Sequence, residues 1–370
     1  MKKITILLAV IMLLAAAWLG ASWYTGQQIE AALDKKVADF NTAAQKIPQA
    51  VTQGMAIKPL GYERGLFSSH ARYGMAWGNG PMIEFDVALA HGPLPLPALA
   101  QGDFLPRLVA AHIEMQIADS EIKAAVDKFT GGKPPLVFDL SCDYGSKKCD
   151  GAGSMPSFSG DISPTAKLNF AGAQMRFAQD APSPSEHKAN LTVEILPVLI
   201  NDQSFGRGQI TASSDALSVT EVVSWQTDQG QSRITYAFAF NHPLAQLTAN
   251  GAAPTPEDFL KAIKTASIKV ELSKPMLIDM MARATIMDKA TKDPAVLPAM
   301  RKILGENFDA AVMNGPLARL AQVDDKGTWI SDWQYAGDKP DVVMINGKEM
   351  PVMDAFALMG QTPEVEEDGE

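Results

Sequence analysis

Two cysteines, five histidines and none of the familiar catalytic signatures in 370 residues leave this chain short of the usual equipment of an enzyme. There is no G-x-S-x-G elbow, P-loop, dinucleotide fingerprint or H-E-x-x-H. His70, His91, His112, His187 and His242 share no spacing that would build a metal site on one element, so no metal and no cofactor is expected. Cationic residues are also in deficit: 32 Lys and Arg against 42 Asp and Glu give a net charge of −10. A nucleic-acid partner is therefore excluded, because such a surface must be basic to displace counterions. Charged residues make up only 20% of the chain and apolar ones 46%, too few and too many for a disordered polymer.

One long apolar run is present, Ile4 to Tyr24, without a charged side chain and preceded by Lys2 and Lys3. A helix of that length is about 31 Å long, enough for the roughly 30 Å hydrocarbon core of a bilayer. Ala15-Ala16-Ala17 offers a cleavage site, but the run continues through Trp18, Leu19, Trp23 and Tyr24. Secretory h-regions stop at about 7–15 residues. The reading is a retained signal anchor over residues 1–25, with Lys2 and Lys3 cytoplasmic and Trp23 and Tyr24 in an interfacial aromatic belt. The bulk of the chain would then be exported. At the other end Glu364, Glu366, Glu367, Asp368 and Glu370 crowd an acidic tail, residues 361–370, that is read as disordered.

Thr25 is placed to cap a juxtamembrane helix over residues 26–48, where Ile29, Leu33, Val37 and Phe40 recur at helical spacing until Pro48. That stripe either packs on its own domain or joins two copies. From about Ser68 the period becomes two. Ile83, Phe85, Val87 and Leu89 alternate with Glu84, Asp86, Ala88 and Ala90, and similar segments surround Ile113, Phe138, Val193, Phe238 and Val270. One-sided alternation marks antiparallel strands with one wet face. A phase slip at Ala171-Gly172 reads as a bulge. Cys142 and Cys149 close a loop at the end of one such strand and are expected to form a disulfide; a redox pair more often has the tighter C-x-x-C spacing. Helices are expected from Thr255, over Pro275–Met287 and Asp293–Met313, and after Pro351, with a turn at Asn346-Gly347. The expected fold is α+β: a long, curved antiparallel sheet with a helical insert in its C-terminal half, behind one transmembrane helix. Residues 49–360 form the body, and Ala181–Glu186 is its best candidate for a loop between sheet halves.

The acidic residues alternate with apolar ones on strands, the ordinary pattern of a wet face, and His112 falls on that face too. The 18 methionines gather around Met276, Met280 and Met281, which suits core packing or an adaptable apolar surface. The most distinctive stretch runs from Gly61 to Ser69; it reads as a tight structural corner in which Arg64 pairs locally.

Ser22-Trp23-Tyr24-Thr25-Gly26, then Tyr62-x-Arg64-Gly65-Leu66-Phe67-Ser68-Ser69, then His91-Gly92-Pro93-Leu94-Pro95-Leu96 resemble the YdgA-like family of Gram-negative envelope proteins. Gln334-Tyr335-Ala336-Gly337 and Ile345-Asn346-Gly347-Lys348-Glu349-Met350 agree with it near the other end, while the cysteine pair is not part of that pattern. The resemblance implies an inner-membrane anchor, a periplasmic body and self-association, and it implies no catalytic residue. Tyr62, Arg64, Gly65, Phe67, Ser68, Ser69, His91, Gly92 and Pro93 are carried forward as a structural or binding motif. The expected role is non-enzymatic, binding lipid acyl chains or envelope proteins at the inner membrane. An assembly factor acting as a homo-oligomer comes second, and a hydrolase with carboxylates gathered by the fold third.

Overall fold

The computed structural model describes residues 22–42, 44, 55–76, 82–91, 107–143, 148–180, 186–243, 261–286, 295–313 and 320–355. The apolar run up to residue 21, the helix expected from Thr255, most of Ala181–Glu186, Gly92, Pro93 and the acidic tail lie outside these residues. Among the described residues no helix is long and apolar enough to cross a membrane.

The chain is antiparallel β-sheet with few helices and divides into two compact units. The first comprises Met1–Pro156, Gln174–Ala189 and Thr248–Ala253, and the rest belongs to the second. In the first unit, helix α1 (22–42) precedes β1 (Ala56–Arg64), β2 (Ser68–Ala76), β3 (Ile83–His91) and β4 (Arg107–Ile117). Helix α2 (Ser120–Thr130) follows, then β5 (Val137–Asp143) and β6 (Lys148–Met155). The second unit contributes β7 (Phe158–Ser163) and β8 (Ala166–Phe170) before β9 (Ala173–Asp180) returns to the first. The first sheet is thus a meander, β1 to β6 in sequence order, with β9 beside β6.

Alternation fixes its two faces. Ala71, Val87, Leu89 and Ala111 form a buried cluster, and Ile29 and Leu33 of α1 pack on it with Tyr62, Phe85, Val109 and Leu140. The Ile29–Phe40 stripe therefore begins by covering the sheet of its own chain. At the far edge Gly151 and Gly153 lie under the Phe138 ring, where an added Cβ would come within 2.6 Å of a ring carbon at either position. A disulfide joins Cys142 to Cys149, opposite one another on β5 and β6 with Cα atoms 4.1 Å apart.

Two local expectations need correction and one is met. Thr25 does not cap α1, because the helix is already running at Ser22; it is buried within the first described turns. The slip at Ala171-Gly172 lies between β8 and β9, with Gly172 at φ 109°, and the bonding to β10 runs on across it, Ala171 N donating to Pro197 O and Gly172 O accepting from Leu196 N, as a bulge does. Helix α2 lies between β4 and β5, where no helix is expected from the sequence. Asp119 caps it by accepting from the amides of Glu121 and Ile122, and Gly131 ends it at φ 65°.

In the second unit β10 (Lys188–Ile200), β11 (Gln203–Asp215), β12 (Ser218–Thr227), β13 (Gly230–Phe240) and β14 (Ile263–Ser273) form a meander, and β8 pairs with β7 and β10. Helices α3 (Lys274–Ile286) and α4 (Val296–Met313) follow, close to the expected helical pair. The chain then returns through β15 (Gln322–Val323) and β16 (Thr328–Ala336), which pairs with β14 along nine residues from each strand. Strands β17 (Val342–Ile345) and β18 (Lys348–Pro351) close the sheet through Asn346-Gly347, at φ 50° and 77°, the left-handed pair a two-residue hairpin favours. Asp279 of α3 is buried and takes the guanidinium of Arg283 at 2.8 Å and that of Arg301, on α4, at 2.6 Å. Met276 is in the core and Met281 is exposed, so the methionine cluster serves both packing and surface.

Candidate functional site

Helix α1 runs antiparallel to β1, and its contacts climb one element as they descend the other. The Asn41 amide both accepts from Ile57 N (2.8 Å) and donates to Ile57 O (2.7 Å). Four turns earlier the Tyr62 hydroxyl donates to Gly26 O at 3.4 Å. Arg64 then lies 5.6 Å from the Trp23 ring centroid and 3.5 Å from Glu30 Oε2. Arg64 therefore does not pair locally; it bridges to the helix.

The motif read from the sequence gathers here. Arg64 pairs with Ser69 across the β1–β2 hairpin, and Gly65 N donates to Ser68 O at 2.7 Å. A Cβ on Gly65 would sit 2.6 Å from that oxygen, which is why the turn uses glycine. Phe67 O accepts from His91 N at 3.0 Å, tying the hairpin to the end of β3. The His91 ring is 1% exposed and spans the join. Its Nδ1 lies 3.0 Å from Ser22 O and its Nε2 3.0 Å from Ser69 Oγ. A carbonyl can only accept, so Nδ1 carries the proton and Nε2 accepts from the Ser69 hydroxyl. Burial lowers the His91 pKa from the ordinary histidine value, and the Tyr62 phenol is pushed up by the same cause. The helix half of this join, Ser22 and Gly26, is not marked as functional by the sequence. The bonds to the Ser22 and Gly26 carbonyls and the close approach of Gly26 to His91 reveal it.

Ser69 and His91 have the separation of a nucleophile and its base. Both are buried, and Gly26 covers the imidazole. The pair works as a fastening for the helix.

The opposite face of the same sheet carries a trough of about 1020 Å³. Six strands line it, Glu63 of β1 at one side and the next five strands in register. His70, Ala88, His112, Asp139 and Ala152 form one row, and Ser68, Ala90, Ala110, Ser141 and Asp150 the next. Ala88, Ala90 and Ala110 lie together on β3 and β4, with His112 of the middle strand beside them and His70, Asp139 and Asp150 to either side. His70 Nε2 pairs with Asp86, and His112 pairs through Nδ1 with Asp139 (2.7 Å) and through Nε2 with Glu114 (3.3 Å). The Asp139 hydrogen bond holds the His112 pKa above its ordinary value. These side chains are a third or more exposed, so the face is wet, as the alternation implies. Among the described residues no three His, Cys, Asp or Glu are placed to hold a metal ion.

The profile of a family described as "Bacterial protein of unknown function (DUF945)" matches residues 1–222 and 216–353. The "Uncharacterized protein YihF" of Escherichia coli (strain K12) is 28% identical over 258 residues, 65% of this chain and 50% of that protein. "Protein YdgA" of the same strain is 28% identical over 153 residues, 39% of this chain and 30% of the relative. An "Uncharacterized protein" of Haemophilus influenzae is 26% identical over 147 residues, covering 39% of this chain and 40% of the relative. The chain thus spans half or less of the length of each of these relatives. No solved structure matches it.

Proposed function

Given that the chain belongs to the DUF945 family of bacterial proteins of unknown function, we propose that it is a non-enzymatic envelope protein, tethered to the inner membrane by Ile4–Tyr24, whose first unit binds an amphiphilic ligand. The trough carries this reading. Its volume of about 1020 Å³ is at the upper end of ligand pockets, and Ala88, Ala90 and Ala110 give it a shallow apolar floor. An acyl chain fits that floor. Asp139 and Asp150 on the flank suit the amine of a zwitterionic headgroup. What argues against catalysis is the sealing of Ser69 and His91 under Gly26 and the wet, carboxylate-paired state of His70 and His112.

Native mass spectrometry of the detergent-extracted full chain tests it. The expected result is a lipid-mass adduct that disappears in Ala90→Trp and Ala110→Trp, whose indoles fill the trough. A bare polypeptide mass after gentle extraction, or an adduct untouched by both substitutions, removes the proposal.

A further inference from the structure

The exposed apolar side chains of the first unit's β1–β2 end share one edge with the start of α1. Trp23 and Tyr24 are 48% and 58% exposed, Leu66 at the hairpin turn 43%, and Leu108 at the start of β4 37%. Because α1 and β1 are antiparallel, with Asn41 at Ile57 and Trp23 at Arg64, the turn between Gly65 and Ser68 lies beside the first described turn of the helix. Leu108 reaches the same edge: its neighbour Val109 pairs with His91, whose amide is bonded to Phe67. The chain that leads into this edge is the uncharged run ending at Tyr24.

We propose that this edge is a second membrane contact, a lipid-facing surface on which Leu66 and Leu108 sink into the headgroup boundary beside Trp23 and Tyr24. It rests on the tethering stated above. A helix entering a bilayer at Trp23 brings whatever is fastened beside that turn to the lipid surface, and His91, Tyr62 and Arg64 fasten the hairpin there. Tryptophan and tyrosine favour the interface, where an apolar body and a polar tip are both accommodated. The unit would then stand at a fixed attitude to the bilayer instead of swinging on its tether.

The test places a spin label on the full chain, disulfide intact, in vesicles of phosphatidylethanolamine and phosphatidylglycerol. Labels go at Leu66→Cys and Leu108→Cys, at Ile122→Cys on α2 as a control, and at Leu13→Cys within the apolar run. Ile122 is exposed and lies at the opposite end of β4, so its label reports water. The expected result is an oxygen-over-nickel accessibility ratio at Leu66 and Leu108 several-fold above that at Ile122, with the Leu13 label deepest. Lipid-like values at Leu13 with water-like values at both Leu66 and Leu108 overturn the second contact and leave the tether standing. Water-like values at Leu13 overturn both.

Discussion

Gly26 meets the imidazole of His91 so closely that a methyl group on its Cα would lie 2.7 Å from Cε1. The two residues come from the helix and from the end of the third strand, and the contact excludes every side chain but hydrogen. Gly26→Ala is therefore expected to push α1 off the sheet or rotate His91 out of its bonds, at about 1–3 kcal/mol for overpacking. The helix propensity of alanine works in the opposite direction, by up to about 1 kcal/mol. A net fall in the urea midpoint in Gly26→Ala, with an unchanged one in Gln27→Ala on the exposed face, is the expected outcome.

His91 gives the fold a pH dependence whose sign is fixed by burial. Its folded pKa lies below the ordinary histidine value, so the unfolded chain takes up the proton first as pH falls. The unfolded state then binds more protons, and stability rises with pH across that window. Stability is expected to be full above about pH 7 and to decline as pH drops through about 6.5, the usual histidine pKa. His112 works in the other direction. The Asp139 bond raises its pKa, so its contribution is present at low pH and lost as pH climbs through the folded value; half-exposure keeps it small. Unfolding midpoints measured from about pH 5 to about pH 8 should lose their acid-side decline in His91→Gln and keep it in His112→Gln. An unchanged profile in His91→Gln contradicts the assignment.

Much of this architecture is written locally. The alternation around Val87 and Leu89 places both on the α1 side and leaves Ala88 and Ala90 on the other. Asn346-Gly347 announces its hairpin, and the cysteines announce their bridge. The motif from Tyr62 to Ser69 is visible as unusual, but its purpose is not, because its partners are distant in sequence. Arg64 reaches back to Trp23 and Glu30, and His91 reaches across 69 residues to Ser22. The trough is hidden for a different reason. Alanines at 88, 90 and 110 look like filler along a strand, and only the register that aligns them across neighbouring strands makes a floor. Helix α2 is masked by its neighbours: the alternation of β4 runs up to it, and Asp119 reads as a turn residue until the capped amides are seen.

The bridge between Cys142 and Cys149 closes a short loop, with a sequence separation of 7. Loop-closure entropy for a loop of that size corresponds to about 2 kcal/mol, less than a long-range bridge would contribute. The double substitution Cys142→Ser and Cys149→Ser should lower the unfolding midpoint by that order while the strand pairing of β5 with β6 survives. Amide exchange at Leu140 and Gly151, which pair two residues further in, reads the distinction directly. Loss of protection there would mean that the covalent link, and not the Phe138 packing over Gly151 and Gly153, sets the register.

Asp279 sets the strongest test in the second unit. Its carboxylate is buried and answers two guanidinium groups, Arg283 one turn along α3 and Arg301 on α4. Arg283 is itself buried, so Asp279→Ala leaves an uncompensated cation inside the protein, an arrangement that costs about 3–5 kcal/mol. Asp279→Asn preserves the shape and some of the hydrogen bonding but not the charge, and should fall between Ala and the wild type. The triple substitution Asp279→Leu with Arg283→Met and Arg301→Met removes every charge at once, and apolar replacements of buried ion groups are often neutral or stabilising. Thermal unfolding of the four proteins separates two roles for the cluster. If the triple variant recovers the stability that Asp279→Ala loses, the carboxylate is needed because the arginines are there. If it remains as unstable as Asp279→Ala, the ion group is holding α3 against α4 in a way that apolar contact cannot replace.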